Sequence, residues 1–208
     1  MKEKLKEMIG MLKMQDGRID MILVTTIFVT GIYYVTTPAL WIHIYQVRTP
    51  DMVSIKNIGM EILSIVFGII WVKYGDKLYR HYGKILFLEC GFAVALLVVT
   101  WTSLDLQTYY IIDSACIAIS TQNVIAGGRK LKARRYPSGE ARHRFDQMNS
   151  VCASFGVITG SMLGLYVQPH VGIRGLITVY LTASLADNIC YYCIYKKMQK
   201  ENTESVNA

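Results

Sequence analysis

Long apolar stretches alternate with short charged clusters along the chain. The apolar stretches cover 21–45, 54–72, 85–101, 109–126, 148–167 and 175–195. About 20 apolar residues in a helix span the roughly 30 Å of hydrocarbon in a bilayer. We therefore predict an all-α, polytopic membrane protein with six transmembrane helices. In this interpretation residues 1–20 form an amphipathic or disordered tail, 21–195 the membrane domain, and 196–208 a polar tail.

The 22 lysine and arginine residues are distributed unevenly between the two predicted sides of the membrane. Nineteen lie in the two tails and the connections after helices 2 and 4, against only Arg48, Lys56 and Arg174 on the other side. Basic residues accumulate on the cytoplasmic side. We expect a plasma-membrane protein with both termini in the cytoplasm. The net charge of +7 then indicates this topology and attraction to the lipid bilayer, and we expect no nucleic-acid partner.

Polar residues recur at helical spacing within several of the predicted spans. Polar groups in hydrocarbon are costly and normally face a bundle interior or a water-filled cavity. Stripes on several helices can therefore surround a path for a solute or an ion. The predicted path residues are Thr30, Tyr33 and Thr37 in helix 1, Asn57 and Glu61 in helix 2, Asp113, Gln122 and Asn123 in helix 4, and Asp187 in helix 6.

Glu61 is the strongest of these path residues. It lies about two turns, roughly 10 Å, inside the outer end of predicted helix 2. An ionised carboxylate at that depth requires water, a partner or a proton. Serine and threonine stripes, by contrast, are commonly explained by hydrogen bonds between helices. We expect Glu61 to carry a proton or to contact a cationic substrate.

Helix 5 contains glycine at every fourth position, at Gly156, Gly160 and Gly164. Small residues at this spacing let two helices approach closely in lipid, where packing drives their association. We predict that these glycines form a helix-packing surface.

The motifs of common enzymes are absent from the sequence. It contains no HExxH, no P-loop, no glycine-rich nucleotide fingerprint and no Cys/His metal spacing. We therefore expect no enzyme activity, no catalytic residue, no cofactor and no metal site. One alternative stays open, because Cys190 and Cys193 form a CxxC pair, a spacing that can support thiol redox chemistry.

The order of helices and connections resembles the amino-terminal half of a major facilitator superfamily transporter. In that family a proline and a Glu-x-Arg pair precede helix 5, which opens with Asn and Ser before its glycines. The matching residues are Pro137, Glu140, Arg142, Asn149, Ser150, Gly156, Gly160 and Gly164. The resemblance implies alternating access to a solute held between two six-helix halves.

The connection after helix 2 is compared with the family pattern Gly-x-Leu-x-Asp-Arg-x-Gly-Arg. Here Leu78, Gly83 and Lys84 fit one register. In that register Arg80 occupies the acidic position, and Asp76 lies about one turn earlier. The resemblance implies a gating loop formed by Asp76, Arg80, Gly83 and Lys84.

Family members normally have twelve helices, whereas six are predicted here. We expect a half-size, proton-coupled secondary transporter of a small solute that acts as a homodimer or with a separate second-half chain. The alternative is a non-transporting accessory or immunity subunit. Such a subunit would bind a partner protein through the glycine surface or the basic 129–144 loop.

Overall fold

The structure is a computed structural model that describes residues 20–47, 50–102, 126–137 and 139–207, together with residues 10 and 123. For 37–47, 50–53, 55–56 and 202–207 the description covers the backbone alone. Nearly all of the described residues are helical, and none of them lies in a strand. The predicted all-α class is confirmed for this part of the chain.

The described residues form six helices, numbered here in chain order. They are α1 (Met21–Val47), α2 (Pro50–Arg80), α3 (Tyr82–Trp101), α4 (126–135), α5 (Gly139–Val167) and α6 (Ile173–Asn207). At one end α2, α5 and α6 continue past the expected spans, because the charged residues there are themselves good helix formers. Most of the expected span 109–126 and of the tail 1–20 lies outside the described residues.

Local chemistry explains where the first helices begin and end. Asp20 is buried and its Oδ1 accepts a hydrogen bond from the backbone N–H of Ile22 at 2.9 Å, which caps α1. Helix α2 begins at Pro50, since a first-turn residue has no intrahelical N–H partner to lose. Only His81 separates α2 from α3, and its N–H donates to the Leu78 carbonyl at 3.0 Å. The expected connection after helix 2 is thus a single tight turn.

Helices α1 and α5 pack side by side in parallel. Thr26 Oγ1 donates to Asn149 Oδ1 at 2.9 Å near the start of both helices. Farther along both helices, Gln168 Nε2, just beyond the end of α5, donates to the Val35 carbonyl at 2.8 Å. Because the contacts advance in the same direction along both helices, α1 and α5 run the same way.

The glycines of α5 lie in this contact, which we call the α1–α5 seam (Gly31, Gly156, Gly160 and Gly164). All three α5 glycines are buried. A Cβ on Gly156 would come 2.7 Å from the carbonyl oxygen of Ile27, and one on Gly160 would overlap the backbone of Gly31. Only residues without a side chain permit this approach, so the predicted packing surface lies against α1.

Helix α6 packs against both α3 and α1. Gly83 at the start of α3 lies against Tyr195 late in α6. At the other end of α3, Trp101 Nε1 donates to Thr178 Oγ1 at 3.1 Å, so α3 and α6 are antiparallel. Thr25 Oγ1 of α1 lies 3.1 Å from Cys190 Sγ of α6.

The starts of α1, α3 and α5 meet the ends of α2, α4 and α6 at one end of the bundle, which we call the basic end. Tyr82 of α3, for example, packs on Gly127 of α4, and a Cβ on that glycine would overlap the ring. A buried apolar cluster lies at this end: Ile22, Leu23, Trp71, Tyr79, Tyr82, Leu86, Leu131, Phe145, Cys152, Tyr191, Ile194 and Tyr195. Most lysines and arginines of the described residues lie at the same end, which is therefore both well packed and strongly basic.

Three helical stretches among the described residues are long and apolar enough to cross a membrane. They are Asn57–Arg80 within α2, all of α3, and α5. At most 33% of the most apolar window of each is buried inside the chain. Large apolar side chains therefore point outward, such as Val72 and Leu165, which are 90% and 76% exposed. A surface of this kind suits hydrocarbon better than water.

Candidate functional site

One surface of α2 combines polar and apolar residues, and we call it the α2 outer face (Asn57, Ile58, Glu61, Ile62 and Ile65). Asn57 and Glu61 are exposed. Ile58, Ile62 and Ile65 are 61%, 56% and 60% exposed. The five residues recur at helical spacing within a stretch long and apolar enough to cross a membrane. A carboxylate thus stands on a surface whose other large residues suit hydrocarbon.

Glu61 has no hydrogen-bond or ion-pair partner among the described residues. After Glu61 the next basic residue in α2 is Lys73, twelve residues or about 18 Å farther along the helix axis. Lys56 precedes Glu61 by five residues, and its side chain is outside the description. An ionised carboxylate in hydrocarbon is costly unless water, a proton or a second polar surface compensates it. The α2 outer face therefore requires a covering that the described part of this chain does not supply.

The predicted path residues of α1 meet two different surroundings. Thr30 borders the seam, since a Cβ added to Gly156 would come 2.9 Å from the Cβ of Thr30. Tyr33 is 44% exposed, and its ring centroid lies 6.5 Å from that of Tyr180 in α6. The side chain of Thr37 is outside the description. Thr30 contributes to helix packing, whereas Tyr33 lies at the bundle surface.

The predicted residues of helix 4 are only partly covered by the structure. Asp113 and Gln122 lie outside the described residues. Asn123 Oδ1 accepts a hydrogen bond of 2.7 Å from the indole N–H of Trp71, which is only 6% exposed. A buried indole N–H needs such an acceptor. Asn123 therefore joins helix 4 to α2 at the edge of the basic end.

Asp187 lies at the basic end and not beside Glu61. It is half-buried, and the basic group that acts on it is Lys132 of α4. The carboxylates of Asp20 and Asp146 also interact electrostatically with Lys132. Burial lowers the pKa of the Lys132 amine, and the carboxylates oppose that shift. These groups form a half-buried charge network where α1, α4, α5 and α6 meet.

Two contacts tie the last turns of α2 to α4. Asp76 forms an ion pair with Lys130 at 2.5 Å. The guanidinium of Arg134 lies over the ring of Tyr79, 4.4 Å from its centroid, a cation–π contact. Asp76, the acidic residue of the expected gating loop, therefore holds the end of α2 against α4.

The other residues of the expected gating loop lie against α6. The hydroxyl of Tyr195 donates to the carbonyls of Tyr79 and Arg80, at 3.1 and 2.9 Å. The last carbonyls of a helix lack intrahelical partners, and Tyr195 supplies one for α2. Gly83 admits the Tyr195 ring, because a Cβ there would come 3.1 Å from it. Lys84 follows and is exposed.

The sequence patterns did not identify most partners at the basic end. Asp20 lies 3.9 Å from Arg135 across the bundle, and Lys130 is 54 residues away from Asp76. An aspartate directly before an apolar run is a helix-start signal, so the capping role of Asp20 was detectable. The pairs were not, because many basic residues of 129–144 offer the same charge.

The CxxC cysteines are free thiols in different surroundings. Cys190 contacts Thr25 of α1, whereas Cys193 is exposed. Helical geometry places the two on adjacent turns of α6. Across the described residues no group of three His, Cys, Asp or Glu side chains is placed to hold a metal ion.

Comparison with known proteins gives no relative to which this site can be matched. No protein-family model, curated protein sequence or solved structure matches the chain.

Proposed function

We propose that this chain is one half of a secondary transporter for a small solute, with six membrane-spanning helices and both termini in the cytoplasm. It resembles the amino-terminal half of a major facilitator superfamily transporter and works with a second copy of itself or with a separate second-half chain. The observation that carries this proposal is Glu61, an exposed carboxylate on a helix long and apolar enough to cross a membrane.

The energetic cost of that position favours a water-filled path. An acidic side chain at the middle of a membrane helix costs about 2.5–3.5 kcal/mol on insertion scales. A second half placed against the α2 outer face would replace lipid there with a polar, partly hydrated surface. In two-halved transporters the substrate site lies between the halves near the bilayer midplane. Glu61 and Asn57 lie closer to the outer end of the span, so they would line one wall of the path that leads to that site.

The helix contacts support a half built from two three-helix units. Helix α1 pairs with α5 and α2 with α4, while α1 also pairs with α6 and α3 with α4. If α1, α2 and α3 are exchanged for α4, α5 and α6 in the same order, the α1–α5 pair becomes the α2–α4 pair. The α1–α6 pair likewise becomes the α3–α4 pair, and the α3–α6 pair is unchanged. The first unit begins at the basic end and the second unit finishes there. Inverted units of this kind occur within each half of such transporters.

The contacts at the basic end suit a gate. The Asp76–Lys130 ion pair joins α2 to α4 through partly exposed side chains. An exposed ion pair of this kind is weak, so it can break and re-form as two halves rock. A protonated Glu61 would pass through a dehydrated state more easily than a carboxylate. Rocking would therefore move a proton together with the solute.

The first experiment measures proton movement with the full chain in liposomes that enclose a pH-sensitive dye. Sugars, amino acids and organic cations are added in turn. We expect at least one solute class to cause a pH change with the unaltered protein and none with Glu61→Gln. The matched control is Glu201→Gln, which removes a carboxylate that pairs with Lys197 outside the predicted spans. Equal coupled fluxes in the Glu61 variant and the control would contradict the role of Glu61.

A second experiment tests the water-filled path without knowledge of the solute. Glu61→Cys and Ile158→Cys are compared in a cysteine-free background with a membrane-impermeant maleimide. Ile158 is 59% exposed on α5, so lipid should shield a cysteine there. We expect labelling at position 61 alone. Equal protection of both positions would argue against the path.

Assembly gives a third readout. The mass of the solubilised protein, with bound lipid subtracted, should be twice the 23.6 kDa of one chain, or should include a co-purifying second-half chain. A monomer without flux would contradict the proposal. A stable complex with an unrelated partner and no flux would contradict it as well, and would favour the accessory-subunit alternative.

A further inference from the structure

A groove of about 560 Å³ lies at the basic end, between the start of α3 and the last turns of α6. Arg80 and Lys84 form one side, and Lys196 and Tyr192 form the other. Phe87 lies one turn farther along α3 and closes the groove toward the apolar part of the bundle. The groove is separate from Glu61 and from the ion pair between α2 and α4.

The groove is strongly basic. Arg80, Lys84 and Lys196 each contribute a positive charge, and no acidic residue lines the groove. Asp76, one turn before Arg80, and Glu201, five residues after Lys196, are paired with lysines outside the groove. Glu89, farther along α3, is buried inside the chain. Within the described part of the chain, the side chain of Lys84 has no hydrogen-bond or ion-pair partner. An anion is therefore the complementary ligand.

The floor of the groove is held rigidly. The Tyr195 hydroxyl donates to the carbonyls of Tyr79 and Arg80, which fixes α6 to the end of α2. Lys196 is positioned over the ring of Tyr192, 5.7 Å from its centroid. These contacts keep charges from two helices on opposite sides of one cavity. The backbone around the groove therefore belongs to the packed bundle.

The apolar wall distinguishes an amphiphile from a soluble anion. Phe87 is 76% exposed, and Leu88 beside it is 58% exposed. Both continue toward the apolar centre of α3, which is long and apolar enough to cross a membrane. Basic pockets between helices at the cytoplasmic surface are suited to lipid headgroups. A ligand with a phosphate at the level of Lys84 and an acyl chain along Phe87 fits this order of residues.

We propose that this groove binds the headgroup of an anionic phospholipid from the cytoplasmic leaflet, with Arg80, Lys84 and Lys196 around the phosphate and an acyl chain against Phe87. The inference rests on the membrane placement in the proposed function, but not on transport. A protein that carries no solute can still hold this lipid.

The test counts bound lipid by native mass spectrometry after extraction from vesicles of phosphatidylglycerol and phosphatidylcholine. The groove variant is Lys84→Gln with Lys196→Gln. The matched control is Arg129→Gln with Arg144→Gln, which removes the same charge from exposed positions of the basic end outside the groove. Each basic residue removed from the groove should lower the affinity for phosphatidylglycerol about fivefold, so the groove variant should lose about 25-fold. The control should lose little.

Equal losses in the two double variants would overturn the proposal, since the effect would then belong to the whole basic surface. No loss in the groove variant would overturn it too. Glycerol phosphate is the probe for a free phosphate, and competition as strong as that of the intact lipid would exclude an amphiphile site. If the double variant fails to fold, Lys84→Gln alone should still lose about fivefold, because the exposed Lys84 side chain has no described partner to lose.

Discussion

In α5 the glycines at positions 156, 160 and 164, spaced four residues apart, are buried against α1. In α2 Asn57 and Glu61 have the same spacing but are exposed. Both sets define one face of a helix by the same spacing. The first face is covered by Gly31 and its neighbours within the chain. The second has no cover in the described residues. Spacing therefore defines a helix face without specifying what covers it.

The difference between the two faces follows from what each can gain by contact. Glycines bring two backbones close and gain dispersion contacts without leaving a polar side chain unsatisfied. Burying Glu61 against an apolar helix would leave a carboxylate without a partner. The α1–α5 seam therefore stabilises the chain itself, and in our proposal the α2 outer face contacts water, solute or a second half.

Gly160→Ala should destabilise the protein most, because its Cβ would overlap the backbone of Gly31. Overpacking typically costs about 1–3 kcal/mol, and each kcal/mol lowers the thermal midpoint by about 2–4 °C in a chain of this size. The measurement is thermal unfolding in detergent, followed by circular dichroism. The control is Gly91→Ala in α3, whose Cβ would meet nothing within 4 Å. Equal midpoints for the two variants would disprove the close backbone contact.

Tyr195→Phe should have the next largest effect. It removes the hydroxyl that donates to the carbonyls of Tyr79 and Arg80, and such a hydrogen bond contributes about 1 kcal/mol. Tyr192→Phe is the matched control, because the Tyr192 hydroxyl has no described hydrogen-bond partner. The same unfolding measurement compares them. A cost for Tyr192→Phe as large as for Tyr195→Phe would show that the loss of stability does not come from the hydrogen bonds to the α2 carbonyls.

Asp76→Asn should have a small effect on stability. The Asp76 side chain is 82% exposed, and solvent weakens an exposed ion pair of this kind. The loss of stability in Asp76→Asn should appear at low salt and disappear at high salt, because salt screens exposed charges. Glu201→Gln breaks the exposed pair with Lys197 in α6 and serves as the control for a local ion pair. If Asp76 belongs to a gate, only its variant changes the transport rate.

Glu61→Gln should change the free energy of unfolding by no more than about 0.5 kcal/mol, because the side chain is exposed and has no described partner. The same substitution should abolish proton coupling in liposomes. A loss of stability as large as that of Gly160→Ala would mean that Glu61 is covered within the chain. The comparison between the two helix faces would then fail.

Much of the helical architecture was predictable from local patterns. The all-helical class follows from long apolar stretches, and the packing surface of α5 follows from glycine at every fourth position. The helix ends were less predictable. Helices α2 and α6 continue to Arg80 and Asn207, beyond the apolar residues that defined the expected spans. Hydropathy marks where a helix can lie in hydrocarbon, but helix propensity decides where it ends.

The candidate site was only partly predictable. Glu61 was identified because a carboxylate within an apolar stretch is unusual in any fold. Thr30 and Asn123 were assigned to a solute path, yet the structure places Thr30 beside the seam and Asn123 on the indole of Trp71. Polar residues at helical spacing have two uses, helix contact and path lining, and only the neighbouring helix decides between them.

The sequence by itself determined the helical class, the clustering of basic residues and the presence of a carboxylate in an apolar helix, because these depend on composition and local periodicity. Tertiary structure decided that Gly31 receives the α5 glycines, that Asp76 meets Lys130 and that Tyr195 caps α2. Each of these contacts joins residues far apart in the chain. Their choice depends on how whole helices pack, since many other residues of the same type carry the same local signal.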